Sequence, residues 1–209
     1  MNKNSKFVIT GIGTDVGKTV VSSIIAEALK ASYWKPIQAG DLDNSDSIKV
    51  NRFTDNVRVL PEAFRLSEPM SPHAAAEIDG VEIAKDDLNI PEVDGNLIIE
   101  GAGGIMVPVN SNGLTFADLI EHWNLPTIVV SRHYLGSINH TLLTIEALKS
   151  RNLNIAGIIF SGNENKSSET IILNKTGVKC IGRIEQEPYF DPTVVREYAD
   201  LFRENLLNL

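Results

Sequence analysis

Gly11-Ile12-Gly13-Thr14-Asp15-Val16-Gly17-Lys18-Thr19 is the stretch that decides the fold. It closes on Gly-Lys-Thr, the tail of the Gly-x-x-x-x-Gly-Lys-Ser/Thr phosphate-binding loop. Five residues separate Gly11 from Gly17 where the strict pattern has four, and that pattern would begin at Ile12, so Gly13 is expected to supply part of the missing flexibility. An apolar strand, Phe7-Val8-Ile9, leads in. A helix with apolar residues at Val20, Ile24, Ile25, Ala28 and Leu29 leads out. Such a loop turns backbone N–H groups toward a polyphosphate, and the helix start adds partial positive charge. Lys18 reaches the β- and γ-phosphates and the Thr19 hydroxyl serves Mg²⁺. The stretch implies a nucleoside triphosphate with a metal; the bland reading is a glycine-rich turn that binds nothing.

Outward from the loop, short apolar runs alternate with helical patterns. Strands are expected at Lys6–Thr10, Tyr33–Gln38, Asn96–Glu100, Thr127–Ser131, Ile155–Phe160 and Lys179–Ile184. Helices are expected at Lys18–Lys30, Ser45–Phe53, Pro72–Ile78, Thr115–Trp123, Ser137–Ser150, Ser167–Asn174 and Pro192–Asn205. Nearly uncharged strands separated by helices predict an α/β fold. It is a single-domain P-loop NTPase-type parallel sheet flanked by helices on both faces, spanning residues 1–209. Asp41 to Asp94 reads as irregular, with loops over an active face. Ligands in such sheets sit at the carboxyl ends of the strands, which selects Gly11–Thr19, Lys35–Asp46, Glu100–Val109 and Ser131–Asn139 as one converging set.

The chain has 209 residues and a formal net charge of −8, which argues against nucleic acid and anionic membrane as partners. No basic-then-apolar leader and no membrane-length apolar run is legible, so a cytoplasmic protein is expected. The one cysteine, Cys180, is expected as a small buried strand residue. The four histidines show no metal spacing. Leu142, Leu143, Ile145 and Leu148 read as the core face of a helix.

Three residues outside the loop can carry chemistry. Glu100 ends the strand Asn96–Glu100 and precedes Gly101-Ala102-Gly103-Gly104. It is either a Mg²⁺ ligand beside the phosphates or a cap on the next turn. Asp46 is a second acid for that metal or a helix cap. Lys35, held extended by Pro36, either stabilises charge in phosphoryl transfer or is a solvated surface lysine.

Taken in order, these motifs resemble the dethiobiotin synthetase family. Gly11–Thr19 is similar to that family's Gly-Thr-Asp-Thr-x-x-Gly-Lys-Thr loop, Trp34–Gly40 to its Lys-Pro segment, and Asn44-Ser45-Asp46 to its metal-site acid. Glu100–Gly104 with Pro108, Leu135–His140 and Ser71-Pro72-His73 also match, and the resemblance runs from about Phe7 to Gly182. It implies an ATP- and Mg²⁺-dependent closure of 7,8-diaminononanoate with CO2 or bicarbonate to dethiobiotin, through a carbamate and a carbamic-phosphoric anhydride. It implies Lys18 and Lys35 as catalytic, and Thr19, Asp46 and Glu100 on the metal. Gly13, Thr14, Asp15, Val16, Gly17, Lys18 and Thr19 would lie on the nucleotide with Glu100, Ser161 and Asn163. Lys35, Ala39, Gly103, Gly136, Ser137, Ile138 and Asn139 would lie on the substrate, the last four across a homodimer interface.

The chain departs from the family pattern at four places. Gly13 stands where the loop has Asp, Ala39 where some members have Ser, Ser161 where an Asn contacts adenine, and Glu185 where a Pro follows Ile184. Base recognition is the part these departures touch most. Three rival classes stand beside this one, the first sharing the fold. A partitioning-type switch ATPase would carry a second lysine at Gly13. A cobalamin-type amidating synthetase would need an ammonia-producing domain. A catalytically inactive nucleotide-binding relative would have no need of Lys18, Lys35, Asp46 and Glu100.

Overall fold

Strand β1 (Lys6–Gly11) lies at the middle of the molecule, and the rest of the chain is laid out to either side of it. The computed structural model describes residues 4–209. Residues 1–3, part of the stretch read as lacking a leader and of the span 1–209, lie outside the described residues. From β1 the chain runs through α1 (Lys18–Leu29) to β2 (Ser32–Trp34) and β3 (Ile37–Ala39), then α2 (Asp46–Phe53), β4 (Arg58–Val59), β5 (Phe64–Leu66) and α3 (Pro72–Asp79). It returns through β6 (Leu97–Gly104), then α4 (Phe116–Trp123), β7 (Thr127–Arg132), α5 (Ser137–Ser150), β8 (Ile155–Ser161), α6 (Lys166–Thr176), β9 (Cys180–Ile184) and α7 (Pro192–Leu207).

Seven strands form one parallel sheet in the order β4-β2-β6-β1-β7-β8-β9, as the uncharged runs predict. Val8, Ile9, Ile98, Ile99, Val129, Val130, Ile158 and Ile159 are wholly buried along it. Each such side chain contributes about 1.5–3 kcal/mol by leaving water. Helices α1, α2 and α7 pack together, and α5 packs with α6. The chain leaves β1 toward one sheet edge and later crosses to β7 toward the other, so the loop after β1 opens at the point where the strand order reverses.

The run Tyr33–Gln38 is not one strand. It breaks at Lys35-Pro36 into β2, in the main sheet, and β3, which pairs with β5 in a separate two-stranded parallel sheet. Pro36 has no N–H to give to a ladder. Its carbonyl instead accepts from Ala63 and Phe64, and the chain turns out of the main sheet there. The segment read as irregular therefore holds two short strands, β4 and β5, besides α2 and α3.

Two expectations about burial fail. Cys180 does open a strand, but it is exposed. Leu143 is exposed too, while Ile145 and Leu148 of the same helix are core. Periodicity places Leu143 on an apolar face without showing whether this chain covers that face. No helix among the described residues is long and apolar enough to cross a membrane.

Candidate active site

The loop after β1 closes over its own first residue. A Cβ on Gly11 would lie 2.5 Å from Val16 Cγ2, 3.0 Å from the Gly13 carbonyl and 3.2 Å from Lys18 Cδ, so only glycine fits. Gly17 caps α1 with φ 94°, in the left-handed region that favours glycine. Gly13 differs: its φ is not in that region and a Cβ there would meet nothing within 4 Å. Gly11 and Gly17 give the loop its shape, and Gly13 does not, contrary to the expectation from spacing. Ile12 N–H donates to the Val130 carbonyl at 3.1 Å, extending the ladder to β7, and this absorbs the extra residue of spacing. Arg132 Nη1 holds the loop from outside through the Asp15 carbonyl, 3.0 Å away. Within the loop, Lys18 Nζ donates to the Gly13 carbonyl at 2.8 Å.

Below the loop lies a cleft of about 630 Å³. Three of the four segments selected at the strand ends meet in it. Thr14, Asp15, Gly17, Lys18 and Thr19 line it from the loop, Lys35, Ala39 and Asp46 from the second segment, and Glu100 and Gly103 from β6. Lys35 stands at the floor, 3 % exposed, so it is not a solvated surface lysine. Its Nζ is 2.7 Å from Asp46 Oδ2 and 3.1 Å from Glu100 Oε1, and it also donates to the Gly101 carbonyl at 3.2 Å. Thr19 Oγ1 donates to the same Glu100 Oε1 at 3.0 Å. Neither acid is a cap: Ser45 caps α2 by accepting from Ile48 N–H, and Glu100 is buried within a strand.

Burial opposes charge on Lys35, but the Glu100 and Asp46 carboxylates outweigh it and raise its pKa. Burial also opposes charge on Asp46, whose pKa is nonetheless lowered by the ammonium of Lys35 hydrogen-bonded to it. Among the described residues no carboxylate pairs with Lys18, whose Nζ contacts the Gly13 carbonyl. Burial, then repulsion from Lys35, lowers its pKa to about 8. An ammonium in that state gains most from an anion placed against it.

The remaining predicted residues lie elsewhere. Val16 is buried beneath the loop. Ser161 reaches the loop from β8: a Cβ on Gly17 would come within 2.8 Å of its Oγ. Asn163 is exposed beyond it. Gly136, Ser137, Ile138 and Asn139 open α5 and do not line the cleft of their own chain. Ser137 is buried and its N–H donates to the Tyr134 carbonyl at 3.0 Å, so of the first-turn donors those of Ile138 and Asn139 are left over.

Sequence reasoning missed two polar contributors. Tyr33 OH donates to Glu100 Oε2 at 3.0 Å, and Gln38 bridges the Asp46 N–H and the Gly40 carbonyl. Gln38 lies in the Lys-Pro segment and Tyr33 just before it, two residues from Lys35, and that proximity was the only signal. Pro69, Met70 and Val107 add an apolar wall. No group of three or more His, Cys, Asp or Glu side chains fit to hold a metal occurs among the described residues. Besides Asp15 on the loop, the cleft offers the Asp46 and Glu100 carboxylates, both against Lys35, and the Thr19 hydroxyl.

A glycine-shaped phosphate loop at the switch point of a parallel sheet, with lysines and acids beneath it, defines the class of P-loop nucleoside-triphosphate enzymes. Solved structures share the fold. The MinC:MinD cell division protein complex of Aquifex aeolicus matches with a TM-score of 0.58 at 15% identity, over 98% of this chain and 94% of that one. A putative plasmid partition protein of Borrelia burgdorferi, bound to AMPPNP, matches with a TM-score of 0.57 at 14% identity, over 99% and 98%. At such identities the likeness is one of fold. A family model described as an AAA domain matches residues 5–194. ATP-dependent dethiobiotin synthetases are far more similar. That of Christiangramia forsetii is 58% identical over 97% of this chain and 98% of its own, and that of Cytophaga hutchinsonii 47% over 93% and 95%. The chain belongs to the dethiobiotin synthetase family, whose members are ATP-dependent ligases.

Proposed function

We propose that the chain, as one domain over residues 1–209, joins 7,8-diaminononanoate to CO2 at the expense of ATP, giving dethiobiotin, ADP and phosphate. The observation that carries this reading is the buried Lys35 held between Glu100 and Asp46, with Lys18 under the phosphate loop above it. The cleft is built for charge and position, and this reaction needs those and no protein nucleophile, because the substrate supplies its own. One amine adds to the carbon of CO2 and loses a proton to solvent, leaving a carbamate. A carbamate oxygen attacks the γ-phosphorus, the bond to the β,γ-bridging oxygen breaks, and ADP leaves with a carbamic-phosphoric anhydride behind it. The second amine attacks the carbonyl carbon, phosphate leaves, and the ureido ring closes with loss of a proton.

Lys18 stands where it can follow the transferred phosphoryl group, and Lys35 where it can hold carbamate and phosphoryl oxygens together. Gly17 and its neighbours present N–H groups to the phosphates. The apolar wall of Pro69, Met70 and Val107 suits an alkyl chain. The donor set fits Mg²⁺, since the Thr19 hydroxyl and the Asp46 and Glu100 carboxylates are hard oxygen ligands. When bound, that ion supplies charge neutralisation on the phosphate oxygens. The turn Gly136–Asn139, outside its own cleft, serves the substrate carboxylate of the other subunit in a two-fold dimer. Ser161 and Asn163 border the base, and the enzyme works in the cytoplasm. The assay that tests the reading is ADP formation with Mg²⁺ATP, omitting one reactant at a time. It should require both the diamine and bicarbonate. ADP formation indifferent to the diamine would replace this reading with that of a switch ATPase.

A further inference from the structure

Glu100 has two carboxylate oxygens with different neighbours. Oε1 faces the cleft and receives Thr19 and Lys35. Oε2 points away and receives the hydroxyl of Tyr33 at 3.0 Å, between two side chains that are themselves buried. The Asp46 backbone is fixed in a similar way. Gln38, 6 % exposed, accepts from Asp46 N–H at 3.2 Å through Oε1 and donates to the Gly40 carbonyl at 2.9 Å through Nε2. The two contacts come from either side of Lys35-Pro36, Tyr33 from β2 and Gln38 from β3, at the point where the chain changes sheets. The residues beside the break therefore fix both acids that Lys35 pairs with.

We propose that Tyr33 and Gln38 are positioning residues for the divalent cation. Tyr33 takes up one oxygen of Glu100 so that only Oε1 is presented, and Gln38 sets the start of α2 so that the Asp46 carboxylate meets it. The inference rests on the metal-site reading given above. A carboxylate free to rotate or to chelate through both oxygens would present a different face to the ion. Loss of such outer partners typically costs about 10–100-fold in metal affinity.

The test measures how much Mg²⁺ strengthens binding of a non-hydrolysable ATP analogue, as the ratio of calorimetric dissociation constants in EDTA and in Mg²⁺. The proteins compared are the full-length wild type, Tyr33→Phe, Gln38→Met and Glu100→Gln. Tyr33→Phe keeps the ring and removes one hydroxyl, and Gln38→Met keeps the shape without the polar ends. Each should reduce the Mg²⁺ enhancement by about tenfold and leave the affinity in EDTA within about twofold. Thermal unfolding confirms that the variants are folded, and Tyr33→Phe carries the test if Gln38→Met is not. Enhancement retained in full by a folded Tyr33→Phe overturns the inference while Glu100→Gln still abolishes it. Enhancement absent from the wild type, or kept by Glu100→Gln, overturns the metal-site reading and the inference with it.

Discussion

Lys35 balances two carboxylates in a place that water hardly reaches, and its removal acts twice. The Lys35→Ala protein should lose turnover by several powers of ten, because the cation on the transferring group is gone. It should also lose about 3–5 kcal/mol of stability without ligand, the usual result of leaving a buried charge unpaired. Turnover near that of the wild type would remove Lys35 from the reaction. A second residue tests the fold rather than the chemistry. Glu169 of α6 accepts from His133 Nε2 at 2.9 Å and from Arg183 Nη2 at 2.7 Å, tying α6 to the residue that follows β7 and to β9. Burial opposes its ionisation, but hydrogen bonds from Arg183 and His133 outweigh it and lower its pKa. A carboxyl lower in the folded than in the unfolded chain stabilises above the ordinary glutamate range, and that contribution fades as pH falls through the folded value. Glu169→Gln should therefore cost about 1–3 kcal/mol near pH 7. Denaturant melts should show the gap between the two proteins closing below about pH 4. A gap constant with pH would mean the ionised form contributes nothing.

At the scale of elements, β9 and α7 pack with no room to spare. A Cβ on Gly182 would lie 2.4 Å from Phe202 Cε1, in the interior of the interface. Gly182→Ala should cost about 1–3 kcal/mol by overpacking, read as a lower urea midpoint at unchanged slope, with the Michaelis constants unaltered. An unchanged midpoint would show that Phe202 yields freely. The same scale explains what the sequence could reveal. The five long strands β1, β6, β7, β8 and β9 and the seven helices were legible because burial on both faces gives β6 and β7 apolar runs, and because Ser45, Thr115 and Pro192 stand at helix starts. β4 and β5 were not, being two and three residues long, too short for any period. Strand-end convergence selected the segments that carry Lys18, Lys35, Asp46 and Glu100, but left the last three open between a site role and a bland one; the family resemblance supplied their expected roles. Tyr33 and Gln38 were not, since a hydrogen bond to an acid far along the chain leaves no local pattern.

For the whole molecule, the exposed apolar side chains raise the question of assembly. Leu135 is fully exposed beside the turn that opens α5, and Leu143 is 59 % exposed one helical face further on. The proposed two-fold dimer would use that region, since a self-complementary patch closes at two. Ser137 is buried, so the probe belongs at Asn139, which is exposed. Asn139→Asp should raise the Michaelis constant for the diamine by about tenfold, roughly 1.4 kcal/mol of like-charge repulsion beside the substrate carboxylate. The constant for ATP should hardly move. A fully active monomer by light scattering, or an Asn139→Asp enzyme with unchanged diamine dependence, would refute the shared site.

The cleft carries a further consequence in its lining. Lys18, Lys35 and Lys49 stand against Asp15, Asp46 and Glu100, so the walls are formally electroneutral. A bare triphosphate would bring an excess of negative charge into this enclosure and a bare divalent ion an excess of positive charge. The chelate of the two brings less net charge than the triphosphate does. On the proposed use of the cleft, walls with no net charge to offer would take the triphosphate at lower electrostatic cost as its chelate with the divalent ion than bare.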